Sequence, residues 1–470
     1  MQAYLIFMFK KYTAEFNTNL KLAYPVMLGQ LGHMLVGLAD TFMIGRLGDP
    51  TQLAAVSLAG SVLFVFLSFG IGFSFAITPF IAEAHAKKDV AQGRRDFQHG
   101  FLLLIILSLL MLILVFFARP ILSSSFFNQP QEVVTLAIPY LNIAMLSMLP
   151  VMVFQGLKQL SDGLSFTKYA MYATFIANGI NILINYMLIY GKWGFPRLEI
   201  VGAALGTLMS RIGLVLVLYL LLRKNKTVLP YLKPLAWEEI KKSHFVRFYK
   251  LGIPTALQMF FEVSIFLIAI WFSGMIGINA QAANTITLQL ASTTFMIAIG
   301  VAVATTIRVG NQKGLQDFRK LRDIALSNVL LIFIIEVVFT FIFIAFNTIL
   351  PTFFIATDTT LKPQDVQEVI AIASKLMLVA GFFQLSDGIQ AVLLGALRGL
   401  QDVKAATFIT FVAYWVIALP IIYYLGLHTS LKTTGIWIGL LIGLTLASII
   451  LYIRFDYLTK KLIQEKDGIA

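Results

Sequence analysis

The chain has 470 residues, of which 59% are hydrophobic and only 13% charged, with 40 Phe and 33 Gly. A soluble domain carries about a quarter charged residues, so an ordinary cytosolic enzyme, a disordered chain and a coiled coil are excluded and a polytopic, all-α membrane protein is indicated. The absence of Cys removes disulfides, thiolate metal sites and cysteine nucleophiles, and 5 His argue against a multi-histidine centre. The net charge of +13 does not point to nucleic acid, because the basic residues lie between hydrophobic runs, where they orient a membrane chain.

Twelve runs are long enough to cross a bilayer: 20–45, 53–82, 97–118, 135–157, 167–190, 200–222, 250–275, 281–307, 324–346, 369–397, 404–425 and 434–455. They are continuous rather than alternating, so helices are expected and barrel strands are not. Met1–Lys11 places its basic residues after its apolar stretch, the reverse of a signal peptide. With both termini in the cytoplasm, the inner loops collect Lys87, Lys88, Arg94 and Arg95, then Arg223, Lys224, Lys226, Lys233, Lys241, Lys242, Arg247 and Lys250, then Arg308, Lys313, Arg319, Lys320 and Arg322. The outer loops keep few, among them Arg46, Arg119, Lys192 and Arg197. Cytoplasmic termini in a cell inner membrane follow from that bias.

A weak repeat runs across the middle loop. Leu22-Ala23-Tyr24-Pro25 opens the first run and Leu251-Gly252-Ile253-Pro254 the seventh, at an offset of 229 residues. Gly45, Gly48 and Gln52 match Gly274, Gly277 and Gln281 at the same offset. Six helices per half puts both halves the same way up, so the repeat is parallel, with two pseudo-symmetric lobes. The expected division is 1–222 for the N-terminal lobe, 223–249 for a cytoplasmic linker and 250–470 for the C-terminal lobe. Such a bundle suits alternating access.

An ionisable group at membrane depth is expensive and usually marks a pathway. Asp40, Glu262 and Asp387 lie within runs one, seven and ten, and Arg211 and Glu336 within runs six and nine. Glu336, in Ile-Ile-Glu-Val-Val, reads as a lipid-facing residue near one surface, and Arg211 as a snorkelling or structurally paired one. His33 stands where Glu262 stands in the other half. Asn181 and Asn185 are four apart and share a helix face, and Thr207 lies in the next run. Asp40, Asn181, Asn185 and Thr207 offer oxygen ligands and amide donors, which suits a hard cation such as Na+. Buried carboxyls also hold protons tightly, so the same residues could carry H+ instead. The asparagines could equally serve as glue between helices.

The motifs resemble the MATE (multidrug and toxic compound extrusion) family. The likeness rests on Leu22-Ala23-Tyr24-Pro25, Gln30 and Asp40-Thr41-Phe42-Met43-Ile44-Gly45; on Asn181 through Tyr186; on Gly252-Ile253-Pro254 with Glu262; and on Asp387-Gly388-Ile389-Gln390 through Asp402. The acidic pair Glu262 and Asp387 is similar to that of the bacterial norfloxacin-exporter branch. In some relatives a further acidic residue follows near position 188, where this chain has Leu188.

The resemblance implies an antiporter that expels cationic, amphiphilic drugs or dyes in exchange for Na+ or H+, with no other cofactor and no enzymatic activity. It places cation or proton coupling at Asp40, Asn181, Asn185, Thr207, Glu262 and Asp387. His33, Gln30, Gln258 and Gln390 are expected to line the substrate cavity. A monomer in the bilayer, with no nucleic-acid partner, is expected. The alternative is a flippase or exporter of a lipid-linked or organic precursor. That would want an Arg-rich interior, whereas Arg211 is the basic residue placed within a run. No phosphate-cradling Gly-x-x-x-x-Gly-Lys motif points to direct ATP drive.

Overall fold

A computed structural model describes residues 11–120, 130–234, 239–354 and 363–468. Of the expected linker, residues 235–238 lie outside the described residues. Among the described residues, twelve helices are long and apolar enough to cross a membrane, and there is no strand. They are α1 Phe16–Gly45, α2 Pro50–Ala86, α3 Val90–Ala118, α4 Gln131–Gly163, α5 Lys168–Tyr190 and α6 Glu199–Arg223. The second set is α7 Lys242–Ile276, α8 Ile278–Gly314, α9 Phe318–Ala345, α10 Pro363–Leu400, α11 Val403–Leu427 and α12 Lys432–Asp467. Each expected run falls on one of them, and most helices reach beyond the apolar run into polar turns at their ends. The chain is an all-α membrane protein. Leu102, Ile106, Leu109, Leu110, Ile113, Leu114 and Phe117 leave α3 with an exposed apolar face, which suits hydrocarbon and not water.

Local chemistry explains the helix ends and interruptions. The Asp89 carboxylate caps α3 by accepting from Gln92 N at 2.9 Å, and Asp317 caps α9 by accepting from Lys320 N at 3.0 Å. The residues just before these caps, Lys88 and Gln316, both take left-handed backbone, with φ of 59° and 57°. The two halves thus reuse one turn. The second run is not a continuous helix, since α2 breaks between Ser74 and Ile77. A 3-10 turn at Met145–Ser147 interrupts α4. In α11 the backbone widens to a π-helix over Val412–Ala418. Pro420 follows it and has no N–H for the carbonyl four residues back, so the ordinary ladder cannot run through unaltered.

The chain forms two compact units. One comprises the chain up to Met27 together with Leu257–Ala470, and the other is Leu28–Ala256. The boundaries at Met27 and Ala256 stand 229 residues apart, the offset of the sequence repeat. α1 and α7 therefore each pass from one unit to the other, a few residues after Pro25 and Pro254, which lie inside them.

In the unit Leu28–Ala256, α5 packs on α6, and both parts of α2 pack on α4. The opening turns of α7 dock on α3 through a partly buried charge cluster. Asp96 faces His244 at 3.4 Å and Arg247 at 3.6 Å, His99 stacks on His244 at 4.8 Å, and Arg247 lies over the Phe80 ring. In the other unit α8 runs along α10, and α10 also packs on α9 and α12. Its core gathers Phe383, Trp437, Leu440 and Tyr414, and the Trp437 indole donates to Asn284 Oδ1 at 2.9 Å. The first part of α1 belongs to this unit, with Ala23 and Met27 packed on Ala298 and Val301 of α8.

Candidate functional site

Two polar clusters sit inside the helical units, one in each. The first lies where α1, α5 and α6 meet. Asn185 Nδ2 donates to Asp40 Oδ1 at 2.6 Å and to Asn181 Oδ1 at 3.2 Å, and Asn181 Nδ2 donates to Ser210 Oγ at 3.3 Å. The spacing of four residues on α5 lets the two amides act as one unit on a single face. Asp40, Asn181 and Asn185 are thus brought together. The Thr207 carbonyl accepts from Ser210 Oγ at 2.9 Å, a bond within α6 that does not by itself bring the Thr207 side chain to Asp40. Ser210 is a member that sequence reasoning did not name, although it stands on the Thr207 face of α6 three residues on.

Arg211 does not snorkel. Its guanidinium donates to Ser147 in the 3-10 turn of α4, within electrostatic range of Asp40 and Tyr140. Asp40 lacks a basic neighbour on its own helix, yet α6 supplies one. The Oδ1 of Asn185 is buried without a hydrogen-bond partner, an oxygen left over in a site already rich in oxygen. These donors fit a small cation beside Asp40 by chemistry, oxygen atoms being what hard cations take. His33 lies apart from this cluster, its ring 5.9 Å from Phe154 and its Nε2 3.4 Å from the Thr174 hydroxyl. Gln30 is half-buried on the same helix.

The second cluster lies in the other unit. Glu262 comes from α7, Asp387 and Gln390 from α10, and Tyr414 from the π-helical part of α11. Tyr414 Oη donates to Gln390 Oε1 at 2.5 Å, and Tyr414 lies within electrostatic range of Glu262 and Asp387. The π turn is what aims this ring; π-bulges often occur where function requires an odd register. Gln258 is buried on α7 one turn before Glu262. Arg398 lies within electrostatic range of Glu262.

Glu336 corrects the sequence reading. It is 1% exposed, not lipid-facing, and Asp387 lies within its electrostatic reach. Its local sequence is uniformly apolar, and only the packing of α9 on α10 turns it inward. Among the described residues no ion pair closer than 4 Å involves Asp40, Glu262, Glu336 or Asp387, and no group of three or more His, Asp or Glu could hold a metal ion.

A family model described as MatE matches residues 25–187 and 254–424. The chain is 32% identical over 459 residues to a probable multidrug resistance protein NorM of Rhizobium meliloti, covering 95% of this chain and 94% of that one. It is 33% identical over 464 residues to the multidrug resistance protein MdtK of Yersinia enterocolitica, covering 96% and 97%. In fold it is similar to the eukaryotic MATE transporter AtDTX14, with a TM-score of 0.85 at 16% identity over 97% of this chain and 99% of that one. A MATE family transporter of the MOP superfamily in an outward-facing conformation gives 0.81 at 21% identity over 95% and 96%.

Proposed function

The chain belongs to the MatE family, and from that premise we propose that it is a secondary active exporter of cationic, amphiphilic drugs, driven by Na+ or H+. The lobes 1–222 and 250–470, joined by 223–249, open in turn to the two faces of a bacterial inner membrane, with both termini cytoplasmic and the monomer as the working unit. The relatives named as multidrug resistance proteins support the drug-export part of this reading. The observation that carries the ion-coupled part is that each unit holds an acidic side chain within its helices with no ion-pair partner among the described residues: Asp40, half-buried, in one and Asp387, buried, in the other. Carboxyls so placed bind a small cation or a proton strongly and differently in different surroundings.

Uptake of the coupling ion from outside neutralises these sites and favours the arrangement that releases drug outward. Loss of the ion to the cytoplasm restores negative charge and attracts the next cationic substrate. The ion needs only a difference in affinity between the two arrangements. A membrane potential contributes about 2.3 kcal/mol per charge per 100 mV, and a tenfold ion gradient about 1.4 kcal/mol. One monovalent ion exchanged for one monovalent drug moves no net charge and uses only the second. Two ions per cycle, one for each acidic cluster, bring in the first.

The test is ethidium efflux from loaded vesicles under a sodium gradient alone and a proton gradient alone. Efflux under at least one gradient, abolished by Asp40→Asn and by Asp387→Asn in chains that still reach the membrane, is the expected result. Efflux that ignores both gradients defeats the reading, and full efflux in either mutant removes that residue from the mechanism.

A further inference from the structure

Glu336 is a buried acid that the scheme above leaves idle. Its side chain lies against the backbone of α10 at Gly388, the residue next to Asp387. A Cβ added at Gly388 would stand 2.8 Å from Glu336 Cγ and 3.0 Å from Glu336 Oε1. Glycine at this position is what lets α9 deliver a carboxyl flat against α10. Glu336 is 1% and Asp387 6% exposed, and each has an oxygen with no hydrogen-bond partner: Oε2 of Glu336 and Oδ1 of Asp387. A buried acceptor without a donor is costly and rare. Two neighbouring carboxyls in that position face two difficulties at once, desolvation and mutual repulsion, and a single proton relieves both. The other groups facing the pair are Glu262 from α7, which lies within electrostatic range of Arg398, and Tyr414 from α11; among the described residues α8 and α12 bring no charge to Glu336.

We propose that Glu336 and Asp387 form a coupled carboxyl pair that holds a shared proton, making Glu336 a further proton-binding residue of the C-terminal unit. The ligand class is the proton itself. Taking one up from water changes the pair from two negative charges to one, and returning it to water restores both. This assignment rests on the ion-coupled exporter reading and deepens it: Glu262 and Asp387 are then not the whole acidic apparatus of that unit, and α9 takes part in coupling.

The test uses the full chain in proteoliposomes, with ethidium efflux measured across pH, and in detergent, counting protons released when tetraphenylphosphonium binds. In Glu336→Gln the repulsion on Asp387 is gone, so the pH of half-maximal efflux moves about one unit toward acid, and fewer protons are released per chain than in wild type. Gly388→Ala keeps both carboxyls but pushes Glu336 off α10, and moves the midpoint the same way by a smaller amount. A packing role alone would lower abundance or melting temperature and leave both the midpoint and the proton count where they are. A wild-type midpoint and proton count in Glu336→Gln overturn the proposal. If that chain does not reach the membrane, Gly388→Ala decides in the same terms. Loss of efflux in Asp387→Asn beside a wild-type pH profile in Glu336→Gln defeats this inference alone, whereas efflux indifferent to both ion gradients defeats the exporter reading beneath it.

Discussion

Asn185 ties Asp40 to α5 through a 2.6 Å hydrogen bond, and the other atom of its amide, Oδ1, lies 2.0 Å from where a Cβ on Gly206 would stand. The geometry of Asp40 is therefore governed by a glycine on a third helix. Gly206→Ala should drive the amide away from Asp40 and lower ethidium efflux roughly tenfold, equivalent to about 1.4 kcal/mol, in a chain still present in the membrane. Wild-type efflux in that variant would show that the amide does not govern Asp40.

Tyr414 offers a second handle. Its hydroxyl donates to Gln390 Oε1, and both side chains are buried. Tyr414→Phe keeps the ring and leaves an acceptor unsatisfied, a change worth about 1–3 kcal/mol. A lower melting temperature together with several-fold slower efflux is expected. A lower melting temperature with unchanged efflux would assign the bond to stability alone.

The C-terminal unit depends on close backbone approach. A Cβ at Gly395 of α10 would stand 2.4 Å from the Ala302 carbonyl oxygen on α8, where Thr306 Oγ1 also donates to the Gly395 carbonyl at 2.9 Å. Both partners are backbone, so neither can swing aside. Gly395→Ala should cost about 1–3 kcal/mol, read as a lower melting temperature of the detergent-solubilised chain. Gly37, which has open space around it, is the control: Gly37→Ala should melt close to wild type.

Stability should also depend on pH through Glu15, which precedes α1. Arg308 of α8 donates to its Oε2 at 2.6 Å, and Lys320 of α9 bonds its Oε1. Burial pushes this carboxyl up, but the hydrogen bonds and charges of Lys320 and Arg308 outweigh burial and hold it below its ordinary value. A depressed carboxyl contributes stability above its unfolded pKa and loses it as pH falls through the folded one. Glu15→Gln should therefore melt below wild type at neutral pH by an amount that added salt reduces, and the two chains should converge as pH falls below the usual glutamate range. A gap that persists in acid would trace the effect to packing instead.

The acidic residues show how much of the candidate site could be read before folding. Asp40, Glu262 and Asp387 stood out because a carboxylate in an apolar run is anomalous wherever the helix turns. Asn181 and Asn185 stood out because a spacing of four residues specifies a shared face. Glu336 carries the same anomaly, but its unbroken apolar stretch has no polar stripe to tell inside from outside, so the sequence alone reads it as facing lipid. Ser210 gave no signal, since a serine in a membrane helix commonly bonds its own backbone. The π turn that aims Tyr414 was equally hidden, as it arises from how α11 accommodates Pro420.

Hydropathy, charge bias and the 229-residue offset settled the number of spans and the kinship of the halves, because each is a property of consecutive residues and of the solvent they require. Which carboxyls stay unpaired, which arginine turns inward and where α1 and α7 pass from one compact unit to the other were decided by tertiary packing alone. Those outcomes depend on the rotation of each helix about its axis and on the side chains its neighbours bring, and neither is encoded in any single segment of the chain.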